Sequence, residues 1–233
     1  MARSRSVPDT DPYPWPWDGR FDVARLAVVV TGVQRSYADA SVDVPGTLDR
    51  IECVSTAVRR AGGVVCHVRH TSPGTRARPL LPEIGRADWA PVVRPAPDDV
   101  LVSASGHDGF FGSALDAELR SRGRDLVVAV GLAAEVTVSS TVRSANDRGY
   151  ECLTLVDAAA PLHVTTGHHE HRSVTMSGGI FGALGTVDAL LATLRDAAVP
   201  LEPAPAPGAA TDPAVPLTTG PVPNEPAALE EPA

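Results

Sequence analysis

The chain has no lysine; all 20 of its basic residues are arginine. That absence removes two kinds of chemistry. No side chain can form a Schiff base with a carbonyl, and no ammonium group can serve as acid, base or anchor. Cysteine is scarce as well. Cys53, Cys66 and Cys152 are the only three, and an odd count argues against a disulfide framework. Cys53 falls in a helical pattern and the other two in apolar runs, so all three are expected as buried thiols. Long apolar stretches are also missing. Runs such as Leu26 to Val30 are far too short to span a bilayer, so no membrane partner is expected. No apolar segment follows Arg3 and Arg5, which makes the cytoplasm the expected location. The net charge is −8 and no basic patch stands out, which excludes nucleic acid as an expected partner.

What is present reads as globular protein. Apolar residues make up 43% and charged residues 21% of 233, enough for one domain with a sizeable core. Three segments differ in character. Residues 1–24 form an arm in which PYPWPWDG (Pro12 to Gly19) alternates proline with aromatics and favours an extended path. Trp15 and Trp17 are expected to pack on the domain or on a neighbouring subunit. Residues 200–233 hold ten prolines, five acidic residues and no basic one. Such a tail cannot build a core and is expected to be disordered.

Residues 25–199 alternate strand with helix. LAVVV (Leu26 to Val30), VVCHV (Val64 to Val68), Val100 to Ser103, LVVAV (Leu126 to Val130) and ECLTLV (Glu151 to Val156) read as strands buried in a sheet. A short sixth strand is expected near Ile180. Between them, Leu48, Ile51, Val54, Ser55 and Val58 recur at helical spacing before Gly62-Gly63. Ser113 can cap a helix to about Arg122. Further helices are expected from Glu135 to Gly149, His168 to Met176 and Val187 to Ala197. This alternation means α/β architecture, a mostly parallel, doubly wound sheet with helices on both faces. Ligands bind such sheets beyond the carboxyl ends of the strands. That rule selects Thr31 to Gln34, Ser103 to Asp108 and Gly131 to Thr137. The aperiodic segment from His70 to Pro97 is expected to supply a lid or binding wall.

At these places the motifs resemble a known family. VVVTGVQRSY, GHDGFFGSALD, GLAAEVTVSSTVRSANDRGYECLTLVDA and GGIFGALGT, in that order, are similar to the isochorismatase-like cysteine hydrolase superfamily. The arm and the STVRSANDRGYEC stretch resemble its biuret and ureidoacrylate amidohydrolase branch. The resemblance spans Pro12 to Ala197. It implies a three-layer sandwich around a six-stranded parallel sheet, often oligomeric, and an Asp–Lys–Cys triad whose thiolate attacks an amide. Backbone N–H groups would hold the oxyanion. The matching positions here are Gly32, Ala104 and Thr137. No aspartate lies between Leu26 and Tyr37, and no cysteine between Val100 and Tyr150.

Candidate catalytic residues are therefore Thr137, His107 and Glu135. A threonine hydroxyl needs an adjacent base, and His107 is the nearest in sequence. Glu135 has a structural reading too, since acids stabilise the first turn of a helix. The substrate-contacting candidates are Thr31, Gln34, Arg69, His70, Phe110 and Ala133. Arg69 and His70, at a strand end, could equally be solvated. Arg143 and Asp147 read as a surface pair. The histidines around residues 67–70 and 168–171 are poorly spaced for a metal, so no metal and no cofactor is expected. The expected partners are a small-molecule ligand and further copies of the chain. Three functions follow, of which the first two are non-hydrolytic small-molecule chemistry such as cyclisation, isomerisation or elimination, and a catalytically silent binding protein. Hydrolysis of a small amide or urea at a non-cysteine site is the third. A closed polar pocket at Gly32, Ala104 and Thr137 would favour the first. A filled one would favour the second.

Overall fold

The computed structural model describes residues 5–71 and 93–198. Six strands form one sheet in the order β3-β2-β1-β4-β5-β6. They are β1 (Leu26–Thr31), β2 (Val64–Thr71), β3 (Val100–Ser105), β4 (Leu126–Leu132), β5 (Glu151–Ala160) and β6 (Ala183–Gly185). Every neighbouring pair is parallel. The central strands β1 and β4 are buried throughout, which is why they read as unbroken apolar runs. The edge strand β3 alternates buried and exposed residues instead. Each strand except β6 starts where its apolar run predicts, and the longer strands run on into polar or small residues at their carboxyl ends.

Helices cover both faces. On one side α2 (Val44–Ala61) and α6 (Val187–Ala198) pack Leu48, Ile51, Val54, Val58, Leu190 and Leu194 against Val28, Val30 and Val128. On the other, α3 (Leu115–Ser121) and α4 (Ser139–Asp147) pack Leu115, Leu119 and Val142 against Val29, Val68 and Ala129. A single turn, α1 (Arg35–Ala38), follows β1, and α5 (Val164–Met176) lies between β5 and β6. This is the expected three-layer α/β sandwich. Ser113 does not sit at the cap position, which is Ala114, although its Oγ accepts from Leu115 N at 3.2 Å. The helix expected from Glu135 is in two parts, a π-helical turn over Ala134–Val138 and then α4.

The arm is part of the core. Val7 and Trp15 are fully buried, and Trp15 meets Phe21 edge-on at 6.1 Å. Asp11 and Leu184 exchange backbone hydrogen bonds of 3.0 and 2.8 Å, so the arm covers the open edge of β6. Trp17, by contrast, is exposed. The expected disordered tail and most of the expected lid lie outside the described residues. Among those described, no helix is long and apolar enough to cross a membrane.

Candidate functional site

The carboxyl ends of β3, β2, β1 and β4 form the mouth of the sheet. On one face, strand alternation places Ala104, His70 and Thr31 side by side, in line with the buried Val102, Val68 and Val29. His70 lies opposite Ala104 in register. Its ring reaches Thr31 on β1.

His70 is held from four directions. Nδ1 lies 2.7 Å from Gly106 O, and Nε2 lies 2.6 Å from Thr31 Oγ1. A carbonyl can only accept, so Nδ1 carries the proton and the Thr31 hydroxyl donates to Nε2. The Gln34 side chain grips the His70 backbone at both N (2.6 Å) and O (3.0 Å). Burial pushes the imidazole down to about 4, so it is neutral at pH 7. Of the two readings of His70, solvation does not hold, because the side chain is buried. Tyr37 stands edge-on to His70, with centroids 6.1 Å apart, and its hydroxyl lies 2.9 Å from Nδ1 of His107. His107 thus belongs to Tyr37. Burial lowers its pKa as well.

Gly32 and Thr137 do come together, but no space is left between them. Gly32 has φ +67°, where only glycine is unstrained. A Cβ there would overlap Leu132 O and lie 2.6 Å from Thr137 Oγ1. Gly131 is equally crowded, since a Cβ would overlap Thr31 O. The Thr137 hydroxyl donates to Leu132 O. The N–H groups of Val136 and Thr137 both point at Ala133 O, at 3.0 Å each, and that of Val138 reaches it at 3.5 Å. Thr31, Gln34, Ala104, Ala133 and Thr137 have no solvent exposure.

The sheet and helix arrangement recurs in solved structures. A cysteine hydrolase from Pseudomonas syringae pv. phaseolicola superposes with a TM-score of 0.69 at 22% identity, covering 84% of this chain and all of that one. An isochorismatase family protein from Burkholderia thailandensis gives 0.66 at 22% identity, over 74% of this chain and 96% of that one. Residues 26–188 match the isochorismatase domain model. The chain belongs to the isochorismatase family. Ureidoacrylate amidohydrolase RutB of Variovorax paradoxus is 30% identical over 199 residues, 70% of this chain and 78% of that protein. RutB of Rhizobium rhizogenes is 29% identical over 212 residues, 75% of this chain and 85% of that one.

The remaining candidates of this isochorismatase-family chain are dispersed. Both carboxylate oxygens of Glu135 accept from Leu162 N, at 3.0 and 3.1 Å, and Thr166 Oγ1 donates to the same group. The residue ties the π-helical turn to α5. Phe110 is buried against Tyr150, centroids 5.6 Å apart, with Arg148 over its ring. Arg69, on the face opposite His70, donates to Ser103 Oγ at 3.0 Å. Arg143 pairs with Glu170 at 2.9 Å rather than with Asp147. Cys66 and Cys152 are buried as expected, but Cys53 is exposed. Among the described residues, no three His, Cys, Asp or Glu side chains group as metal ligands do. A cavity of about 10 Å³ lies beneath α5, between Val138, Val142, Arg143, Phe181 and Leu184. That is room for about one water. The sequence singled out Thr31, Gln34 and His70 individually but not as one network. Tyr37 and Gly106 lie inside two of the family motifs, but sequence alone assigns neither of them a role.

Proposed function

We propose that this chain is a non-hydrolytic member of the isochorismatase family, a binding protein built on an enzyme's scaffold. The observation that carries the reading is at Thr137. Its hydroxyl donates to Leu132 O, and its N–H points at Ala133 O alongside those of Val136 and Val138. A group that is to attack a carbonyl needs a base at its hydroxyl and free donors for the oxyanion. Here neither requirement is met, because the protein's own carbonyls occupy the hydroxyl and the N–H donors. Gly32 leaves no volume for an acid, and Ala104 provides no charge.

The similarity to ureidoacrylate amidohydrolases defines the test. Purified protein is incubated with ureidoacrylate and with biuret, and released ammonia is measured. No release above buffer is expected. Turnover that disappears in Thr137→Ala or Thr31→Ala would overturn the proposal.

One observation favours a second reading, non-hydrolytic chemistry on a small molecule. The Tyr37–His107 pair is a hydroxyl–imidazole couple, and His107 keeps part of its surface in solvent. Such a couple can move a proton in an isomerisation or elimination. A ligand that perturbs the His107 ring resonances in NMR would support this reading over the first.

A further inference from the structure

We infer that the cavity beneath α5 binds a small uncharged molecule with one hydroxyl on a short apolar body, a short-chain alcohol. The inference goes beyond the reading of the mouth and does not rest on it. The cavity lies between α4, α5, β5 and β6, and none of Thr31, Tyr37, His70, His107 and Thr137 lines it. Thr154 of β5 is the starting point. It is only 9% exposed, it lines the cavity, and among the described residues its hydroxyl has no hydrogen-bond partner. Native structures pair nearly all such buried hydroxyls, because an unpaired one costs free energy. The imidazole of His171 lines the same cavity and also makes no hydrogen bond among the described residues. Burial lowers its pKa and His168 adds to the effect, so at pH 7 the ring is neutral. It then offers one donor and one acceptor. Two unused polar groups thus face a space of about 10 Å³.

The walls decide the class of ligand. Val138, Val142, Val174, Phe181 and Leu184 are apolar, so a ligand needs a hydrocarbon body to match them. Arg143 and Glu170 form the rim. They keep 34% and 19% of their side-chain surface in solvent and pair at 2.9 Å. Their charges cancel, so an anion would compete with Glu170 and a cation with Arg143. A neutral ligand does neither. A hydroxyl both donates and accepts, which is what Thr154 and a neutral imidazole can answer. The size of the cavity sets where that hydroxyl goes, in the place of one water, with the carbon chain running out toward the rim. Water alone would satisfy Thr154 but leave the apolar walls wet; an alcohol satisfies the hydroxyl and covers the walls. The site is also built before the ligand arrives. Arg143 donates to Ser139, Glu170 and Ser173 and lies 4.6 Å from the centre of the Phe181 ring, so little ordering cost remains.

Propan-1-ol is the probe, titrated into the full chain while methyl resonances are followed by NMR. The methyls of Val138, Val142, Val174 and Leu184 are expected to shift and saturate with a Kd of about 1–10 mM. Those of Val28 and Val30, on the other face of the sheet, are expected to stay in place. Propionate and propylammonium have the same chain length and are expected to bind about tenfold more weakly or not at all. Thr154→Val keeps the branched shape that suits a strand and removes only the hydroxyl. It is expected to weaken propanol binding about fivefold with an unchanged circular dichroism spectrum, and Thr154→Ser to restore it. Shifts that never saturate, as a cavity holding water alone would give, overturn the inference. So does equal binding of the three probes, a comparison that needs no variant, or an unchanged affinity in Thr154→Val. Release of ammonia from amides would defeat the previous proposal and leave this one intact.

Discussion

Gly32 occupies the position where the family resemblance places the base, and it shows why restoring one side chain does not restore a site. Its φ of +67° already disfavours any residue with a Cβ. The β1–β4 approach adds a steric barrier, because the new atom would overlap Leu132 O and crowd Thr137 Oγ1. Gly32→Asp would also bury a carboxylate among carbonyl oxygens. Strain at such a position costs roughly 1–3 kcal/mol before the overlap is counted. The variant is therefore expected to lose about 3 kcal/mol or more, and to melt about 6–12 °C lower. Differential scanning calorimetry measures this directly. A Gly32→Asp protein with an unchanged melting temperature would show that the mouth can open, and the filled-mouth reading would go with it.

At the scale of elements, the mouth is fixed by what joins the π-helical turn to its neighbours. Glu135 is central, because one carboxylate gathers Leu162 N and the Thr166 hydroxyl and so sets where α5 begins. Glu135→Ala leaves that amide without its acceptor. Losing a hydrogen bond to a charged group costs about 1.5–3 kcal/mol. Amide exchange at Leu162 and through the first turn of α5 is expected to quicken, while β1 and β4 keep their protection. Uniform loss of protection across the sheet would mean that Glu135 supports the whole fold rather than one junction. The strands themselves were legible in the sequence because two-sided burial leaves an unbroken apolar run, as in Leu26 to Val30. Their carboxyl ends were not. Arg69–Thr71 and Asp157–Ala160 continue the ladder with residues that carry no strand signal, and the first of these holds His70. His70 was legible only as substrate-contacting or solvated, because its partners Thr31, Gln34 and Gly106 lie at the ends of two other strands. Cys53 could have been placed correctly. It lies about 200° around the helix from Ile51, opposite the face marked by Leu48, Ile51, Val54 and Val58.

For the molecule as a whole, buried histidines shape the response to acid. Burial lowers the pKa of His67, His70, His107 and His171, with His70 pushed down to about 4. His70 faces Thr31 and the Gly106 carbonyl, with Tyr37, His107 and Asp108 as its other neighbours. An unfolded histidine titrates near 6.5. As pH falls below that value the unfolded chain takes up protons that the folded one refuses, so stability is complete above about 6.5 and declines toward 4. For His70 alone the gap amounts to roughly 3 kcal/mol. Asp99 acts in a different window. Burial opposes its charge, but the paired bonds from Arg59 at 2.8 Å, the Ala96 N–H and His67 outweigh that and hold its pKa below the usual range. Its contribution is present above about 4 and lost only below that. The melting temperature is thus expected to fall by about 6–12 °C between pH 7 and pH 4.5. His70→Gln, which cannot take up a proton, is expected to be less stable at pH 7 but to show a shallower fall. Parallel curves for the two proteins would mean that His70 takes up its proton as readily folded as unfolded, with Nε2 then donating to Thr31 Oγ1 while Nδ1 still donates to Gly106 O.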